Sequence, residues 1–160
     1  MIVVVMGVSG CGKTTVGRLL AESLGRPFLD ADDFHGEANV AKMRAGIALT
    51  DADRLPWLDR LNAALHAHEN GVVLACSALK AAYRERLCAG LGDRVRLVHL
   101  RGTSALIAAR LQARTGHYMN PALLESQFAA LEQPADAIEA GIDRAPREIA
   151  AAILARLSAS

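Results

Sequence analysis

Gly7-Val8-Ser9-Gly10-Cys11-Gly12-Lys13-Thr14 sets three glycines, a lysine and a hydroxyl at the spacing GxxxxGK[ST]. Residues without Cβ let successive backbone N–H groups turn inward and form a nest for anions. A helix beginning near Lys13 aims its positive end at the same point. The Lys13 ammonium adds a mobile charge for the terminal phosphates of a nucleotide, and the Thr14 hydroxyl is placed for Mg2+. The nucleotide contacts predicted here are Gly7, Val8, Ser9, Gly10, Cys11, Gly12, Lys13, Thr14 and Thr15. Cys11 stands near a helix N-terminus, which lowers a thiol pKa; the alternative is a small residue filling the loop.

Phe28-Leu29-Asp30-Ala31-Asp32-Asp33 supplies carboxylates. Residues two apart on a strand point the same way, so Asp30 and Asp32 are expected to project together from the carboxyl end of a sheet, where open α/β sheets bind ligands. Phosphoryl transfer uses one carboxylate to orient or deprotonate the attacking hydroxyl and another to hold the metal. Asp32 is assigned to the hydroxyl and Asp30 to the Mg2+ shell; helix capping by Asp32 or Asp33 is the alternative.

Positioning these groups requires a scaffold, and short apolar runs alternate with helical stretches along all 160 residues. Ile2–Met6 is a β-branched run and reads as a buried parallel strand. Lys13–Leu24 carries Val16, Leu19, Leu20 and Leu24 at helical spacing, and Gly25 stops it. Residues 27–29 predict a second strand and 38–48 a helix. Thr50, Asp51 and Asp53 offer N-caps to a helix with Pro56 in its first turn, running to about residue 69. Leu55, Leu58, Leu61 and Leu65 share one face of it, and Trp57 is assigned to the core. Strands follow at 72–76 and 95–100, with helices at 81–91, at 104–114 capped by Ser104, and at 121–131. Glu139 and Gly141 leave only a weak strand signal over 138–142. Ile149, Ile153, Leu154 and Leu157 mark a last helix. The pattern predicts one α/β domain over residues 1–160, with a parallel sheet and right-handed crossovers.

Composition narrows the function. Aromatics are 4% and the net charge is +1, which argues against a nucleic-acid partner. Cys11, Cys76 and Cys88 form no CxxC pair, against a disulfide framework or zinc site. The chain opens without a basic leader, and no apolar run nears a membrane span of about 18 residues. A reduced, cytoplasmic protein with no membrane partner is expected. Lysines number three, Lys13, Lys42 and Lys80, against an abundance of arginine.

Further motifs are more specific. Asp30-Ala31-Asp32-Asp33-Phe34-His35, then Asn39, Lys42-Met43, Gly46 and Leu49 through Leu58, resemble the signature of the small P-loop gluconokinases. So do Cys76-Ser77-Ala78-Leu79-Lys80 with Tyr83-Arg84, Arg114-Thr115-Gly116-His117-Tyr118-Met119, Ser126-Gln127-Phe128, Leu131-Glu132 and Pro134. The resemblance spans about residues 2–135. It implies a three-layer P-loop NTPase fold like that of nucleoside monophosphate and shikimate kinases, with an acceptor-binding segment at about 32–66 and a lid at about 114–125. It also implies a cytoplasmic homodimer that uses ATP and Mg2+ to phosphorylate D-gluconate at its 6-hydroxyl, giving 6-phospho-D-gluconate and ADP.

A polyol carboxylate needs cations at one end and paired donors and acceptors along the rest. Arg54 can grip a carboxylate bidentately; an ion pair with Asp51 or Asp53 is its alternative. Lys80 and Arg84 have i,i+4 spacing and share a helix face. His35 and Lys42 flank the acidic pair, with helix capping the alternative for His35. Substrate contacts are therefore expected from Asp32, His35, Lys42, Arg54, Lys80 and Arg84. Arg110 and Arg114 lead into the lid, where Arg114 would neutralise developing phosphate charge and Arg110 would meet adenine or phosphate; the alternative is an exposed helix face. The catalytic set is Lys13, Asp32 and Arg114. A kinase for another hydroxy acid such as shikimate is the nearest alternative, although shikimate kinases lack Asp51–Leu58 and Cys76–Lys80 as a set. A non-catalytic nucleotide switch would need no acceptor base.

Overall fold

The computed structural model describes residues 1–113 and 121–159. Its five strands are β1 (Ile2–Met6), β2 (Phe28–Asp30), β3 (Val72–Ala75), β4 (Val95–Arg101) and β5 (Ile138–Gly141). The helices are α1 (Lys13–Leu24), α2 (Glu37–Arg44), α3 (Asp51–Ala67), α4 (Ala81–Leu87), α5 (Ser104–Ala113), α6 (Pro121–Ala130) and α7 (Pro146–Ala159). Every strand pair is parallel and the order is β2-β3-β1-β4-β5. The chain builds one side of β1 first and then crosses to the other, which opens a crevice at the carboxyl ends of the central strands.

β1 shows why an unbroken apolar run was needed. Val3 and Val5 face a core shared with Val16 and Leu20 of α1 and Ile149 and Ile153 of α7. Ile2, Val4 and Met6 face a second core with Leu58, Leu61 and Leu65 of α3 and Leu87 of α4. A central strand covered on both faces has no polar side.

Several local expectations are corrected. α3 starts at Asp51, with Thr50 as N-cap: Thr50 Oγ1 accepts from Asp53 N at 3.1 Å, and the Asp53 carboxylate accepts from Thr50 N at 2.9 Å. This reciprocal pair satisfies two backbone donors and starts the helix early, so Pro56 falls inside it rather than in its first turn. Leu55 is 39% exposed and leaves the apolar face, while Trp57 takes a buried place. Thr103, not Ser104, caps α5, its Oγ1 accepting from Leu106 N at 3.1 Å. β5 forms despite its weak pattern because it is an edge strand. Ala140 is buried, while Glu139 faces outward to pair with Arg101 at 3.0 Å.

His99 of β4 is buried, and its Nδ1 has no hydrogen-bond partner among the described residues. Burial holds its pKa below the usual histidine value, against the opposing pull of Glu139. The unfolded chain therefore binds a proton that the folded chain refuses. Stability is full above the unfolded value near 6.5 and falls as pH drops toward the folded value, by at most about 1.4 kcal/mol per pH unit for one proton. Urea unfolding between pH 7.5 and 5.5 is expected to show this loss, and His99→Gln to flatten it. An unchanged slope in the variant would exclude His99 as its source.

Candidate active site

The loop between β1 and α1 wraps a cavity of about 840 Å3 at the carboxyl edge of the sheet. Gly7, Gly10 and Gly12 have φ of 152°, 84° and 95°. A Cβ on Gly10 would approach Leu111 to 2.8 Å, so this turn needs glycine for both its backbone and its packing. Gly12 is the N-cap of α1. Lys13 Nζ arches back over the loop and donates to Gly7 O at 3.0 Å and Val8 O at 3.1 Å. Ser9, Gly10, Gly12, Lys13, Thr14 and Thr15 line the cavity. Val8 and Cys11 are buried behind it. Burial raises the Cys11 thiol pKa, outweighing Lys13 and the helix end, so the loop-filler role holds and thiol activation does not. Cys76 lies as deep, pushed up to about 12 by burial.

Asp30 and Asp32 both line the cavity, but not by strand alternation. Asp30 ends β2, whereas Asp32 sits in a 3-10 turn, Ala31–Phe34, that Asp30 itself caps. The Asp30 carboxylate accepts from Asp32 N at 3.0 Å and from Thr14 Oγ1 at 3.4 Å. One side chain thus ties the phosphate loop to the turn bearing the second carboxylate. Asp32 has a raised pKa, from burial first and the neighbouring Asp30 charge second.

The opposite wall comes from α3 and the start of α4. His35 stacks on Trp57, with centroids 4.4 Å apart and planes 13° apart, and Trp57 Nε1 donates to Ala31 O at 2.7 Å. Arg54 Nη1 donates to Leu49 O at 2.8 Å and Tyr83 Oη at 3.3 Å, so it forms neither of the ion pairs weighed for it. The Arg54 guanidinium carbon and Lys80 Nζ lie 5.4 and 5.5 Å from the Tyr83 ring centre. Lys80 also pairs with Asp51 at 3.2 Å, and Tyr83 Oη donates to the same carboxylate. Tyr83 is thus the platform on which both cations rest. Sequence reasoning gave it no role, though it stood within a quoted motif.

Other expected contacts fall elsewhere. Lys42 is paired with Asp53 at 2.8 Å and does not line the cavity. Lys42 and the Thr50 N–H pull the Asp53 pKa down to about 2. Arg84 does not line the cavity with Lys80, which is the N-cap of α4. Its guanidinium instead donates to Ala78 O, Leu79 O and Glu132 O, clamping three backbone carbonyls. Arg110 donates to Ile142 O and is absent from the cavity lining, although its charge reaches Cys11 in the loop. Arg114, with most of the lid, lies outside the described residues. Gln127 of α6 stood within the quoted Ser126-Gln127-Phe128 without a role. Its Oε1 accepts from Ser9 N at 2.8 Å and its Nε2 donates to Ser9 Oγ at 3.0 Å, a two-point clasp on the phosphate loop.

A nucleotide-type loop after the central strand, facing a pair of carboxylates and a wall of cations, defines the class: a P-loop kinase acting on small molecules. The shikimate kinase family profile matches residues 9–158. A shikimate kinase from Aquifex aeolicus vf5 shares the fold at 23% identity, TM-score 0.65, covering 99% of this chain and 97% of its own. Agreement is tighter with a probable gluconokinase from Rattus norvegicus, 45% identical over 98% of this chain and 97% of that protein. A solved gluconokinase from Sinorhizobium meliloti 1021 superposes with TM-score 0.89 at 41% identity, covering 98% of this chain and 92% of that one. The chain belongs to the gluconokinase family.

Proposed function

We propose that the chain transfers the terminal phosphoryl group of ATP to the 6-hydroxyl of D-gluconate, giving 6-phospho-D-gluconate and ADP. The observation that carries this is the pair of cations, Arg54 and Lys80, held over Tyr83 in the same cavity as Lys13 and Asp32. Such a pair suits a carboxylate at one end of an acceptor whose other end meets a base.

Asp32 accepts the proton of the attacking hydroxyl. Its raised pKa makes it a stronger base than an ordinary aspartate. Lys13 supplies charge to the β- and γ-phosphates, and the amides from Gly10 to Thr15 cradle them. The Thr14 hydroxyl and the Asp30 carboxylate, 3.4 Å apart, are a hard oxygen pair that fits Mg2+, an ion that takes few protein ligands and keeps waters and phosphate oxygens. Held there, Mg2+ would supply positive charge against the negative charge that develops during phosphoryl transfer. Arg114 and Arg110 are proposed on the lid side. Lys42 and Arg84 act through the scaffold they hold. A homodimer in the cytoplasm belongs to the same reading and rests on the resemblance.

The test is ADP release with a panel of sugar acids, gluconate and shikimate included. Gluconate is expected to stimulate most. Strongest stimulation by shikimate would transfer the assignment, and no acceptor-dependent turnover would remove it. Arg54→Ala is expected to raise KM for gluconate about 10- to 100-fold, as loss of one or two charge-assisted bonds does, with KM for ATP unchanged. Equal effects on both substrates would take Arg54 out of the acceptor site.

A further inference from the structure

We infer that Asn39 is a positioning residue that locks His35 in the tautomer bearing its proton on Nε2, so that the ring donates to an oxygen of the acceptor. Asn39 is the one buried residue of α2. Its Nδ2 donates to Asp53 O at 2.9 Å, an atom that only accepts. That bond fixes which end of the amide is nitrogen. The same Nδ2 lies 3.2 Å from His35 Nδ1, toward which it has its second hydrogen to give. Nδ1 must therefore be the acceptor, and the neutral ring carries its proton on Nε2.

The ring plane is held as firmly as the tautomer, by its stack on Trp57. Among the described residues nothing engages Nε2, and His35 lines the cavity beside Asp32. The charged groups facing the ring are Asp32 from its own turn and Arg54 and Arg60 from α3. Asp32 favours protonation, whereas burial and the two arginines oppose it and keep the ring neutral. An Nε2–H donor complements Asp32: one accepts a hydroxyl proton while the other donates to a hydroxyl oxygen, so a polyol is ordered by both kinds of bond. This role rests on the acceptor site proposed above.

The test reads the ring directly, by 15N chemical shifts of His35 in the free protein at pH 7.5. A pyrrole-type Nε2 and a pyridine-type Nδ1 are expected. A protonated Nδ1 in the unmodified protein would overturn the inference. Asn39→Asp removes the donor and places an acceptor against Nδ1, drawing a proton there. It is expected to raise KM for gluconate about ten-fold and spare KM for ATP. A shifted tautomer with unchanged KM would also overturn it. Should Asn39→Asp not fold, Asn39→Ala gives the same comparison, with mixed tautomers and a smaller rise in KM expected. If the unmodified protein shows no gluconate turnover, the substrate assignment fails while the tautomer is still decided on the free protein.

Discussion

Asp32→Asn is expected to lower kcat by about 100- to 10,000-fold, the usual contribution of a positioned general base. The substitution keeps the size of the side chain and its place in the 3-10 turn, and removes only the ability to take a proton. KM values for ATP and gluconate should move far less than kcat. The pH profile gives a second reading. Burial and Asp30 raise the Asp32 pKa, and the base must be ionised to act. The acid limb of kcat/KM should therefore lie above the ordinary aspartate range, with rate lost as pH falls through it, and should vanish in the variant. Near-normal kcat in Asp32→Asn would show that the hydroxyl proton leaves by another route.

Lys13→Ala is expected to cost about 100- to 1,000-fold in kcat, the scale of removing one donor to developing charge in a closed site. Lys13 also has a structural duty, because its ammonium bonds the carbonyls of Gly7 and Val8. Lys13→Met separates the two contributions in part, since it keeps the apolar stem and loses the charge. Both variants should retain the wild-type circular dichroism spectrum and gluconate binding while losing turnover. Retained kcat in Lys13→Met would mean the loop amides alone carry the phosphate charge.

The phosphate loop and the central strand were legible because each is written in consecutive residues. GxxxxGK[ST] states its own backbone geometry, and Ile2–Met6 states its own burial. The base was legible for a partly mistaken reason. Asp32 reaches the cavity through a 3-10 turn that Asp30 caps, and a two-residue spacing is silent about which of strand or turn carries it. What stayed hidden depends on pairing between distant segments. Lys42 reads as a free cation until Asp53, eleven residues on, is seen against it. Arg84 reads as a binding residue until three carbonyls are found around its guanidinium. The clasp of Gln127 on Ser9 joins residues 118 apart and leaves no local pattern. β5 was obscure for another reason: an edge strand needs few apolar residues, so its signal is weak by construction.

Asp53 gathers these points at one junction. Its carboxylate caps the first turn of α3 and holds Lys42, while its carbonyl holds Asn39. Helix α2 is thereby fastened by polar bonds to a neighbouring helix end, with a single buried side chain of its own. A segment anchored this way opens at far lower free energy than the doubly covered sheet. Warming should therefore release α2, and with it the hold of Asn39 on His35, while the nucleotide cradle is still intact, so the protein would lose its grip on the sugar acid well before it melts.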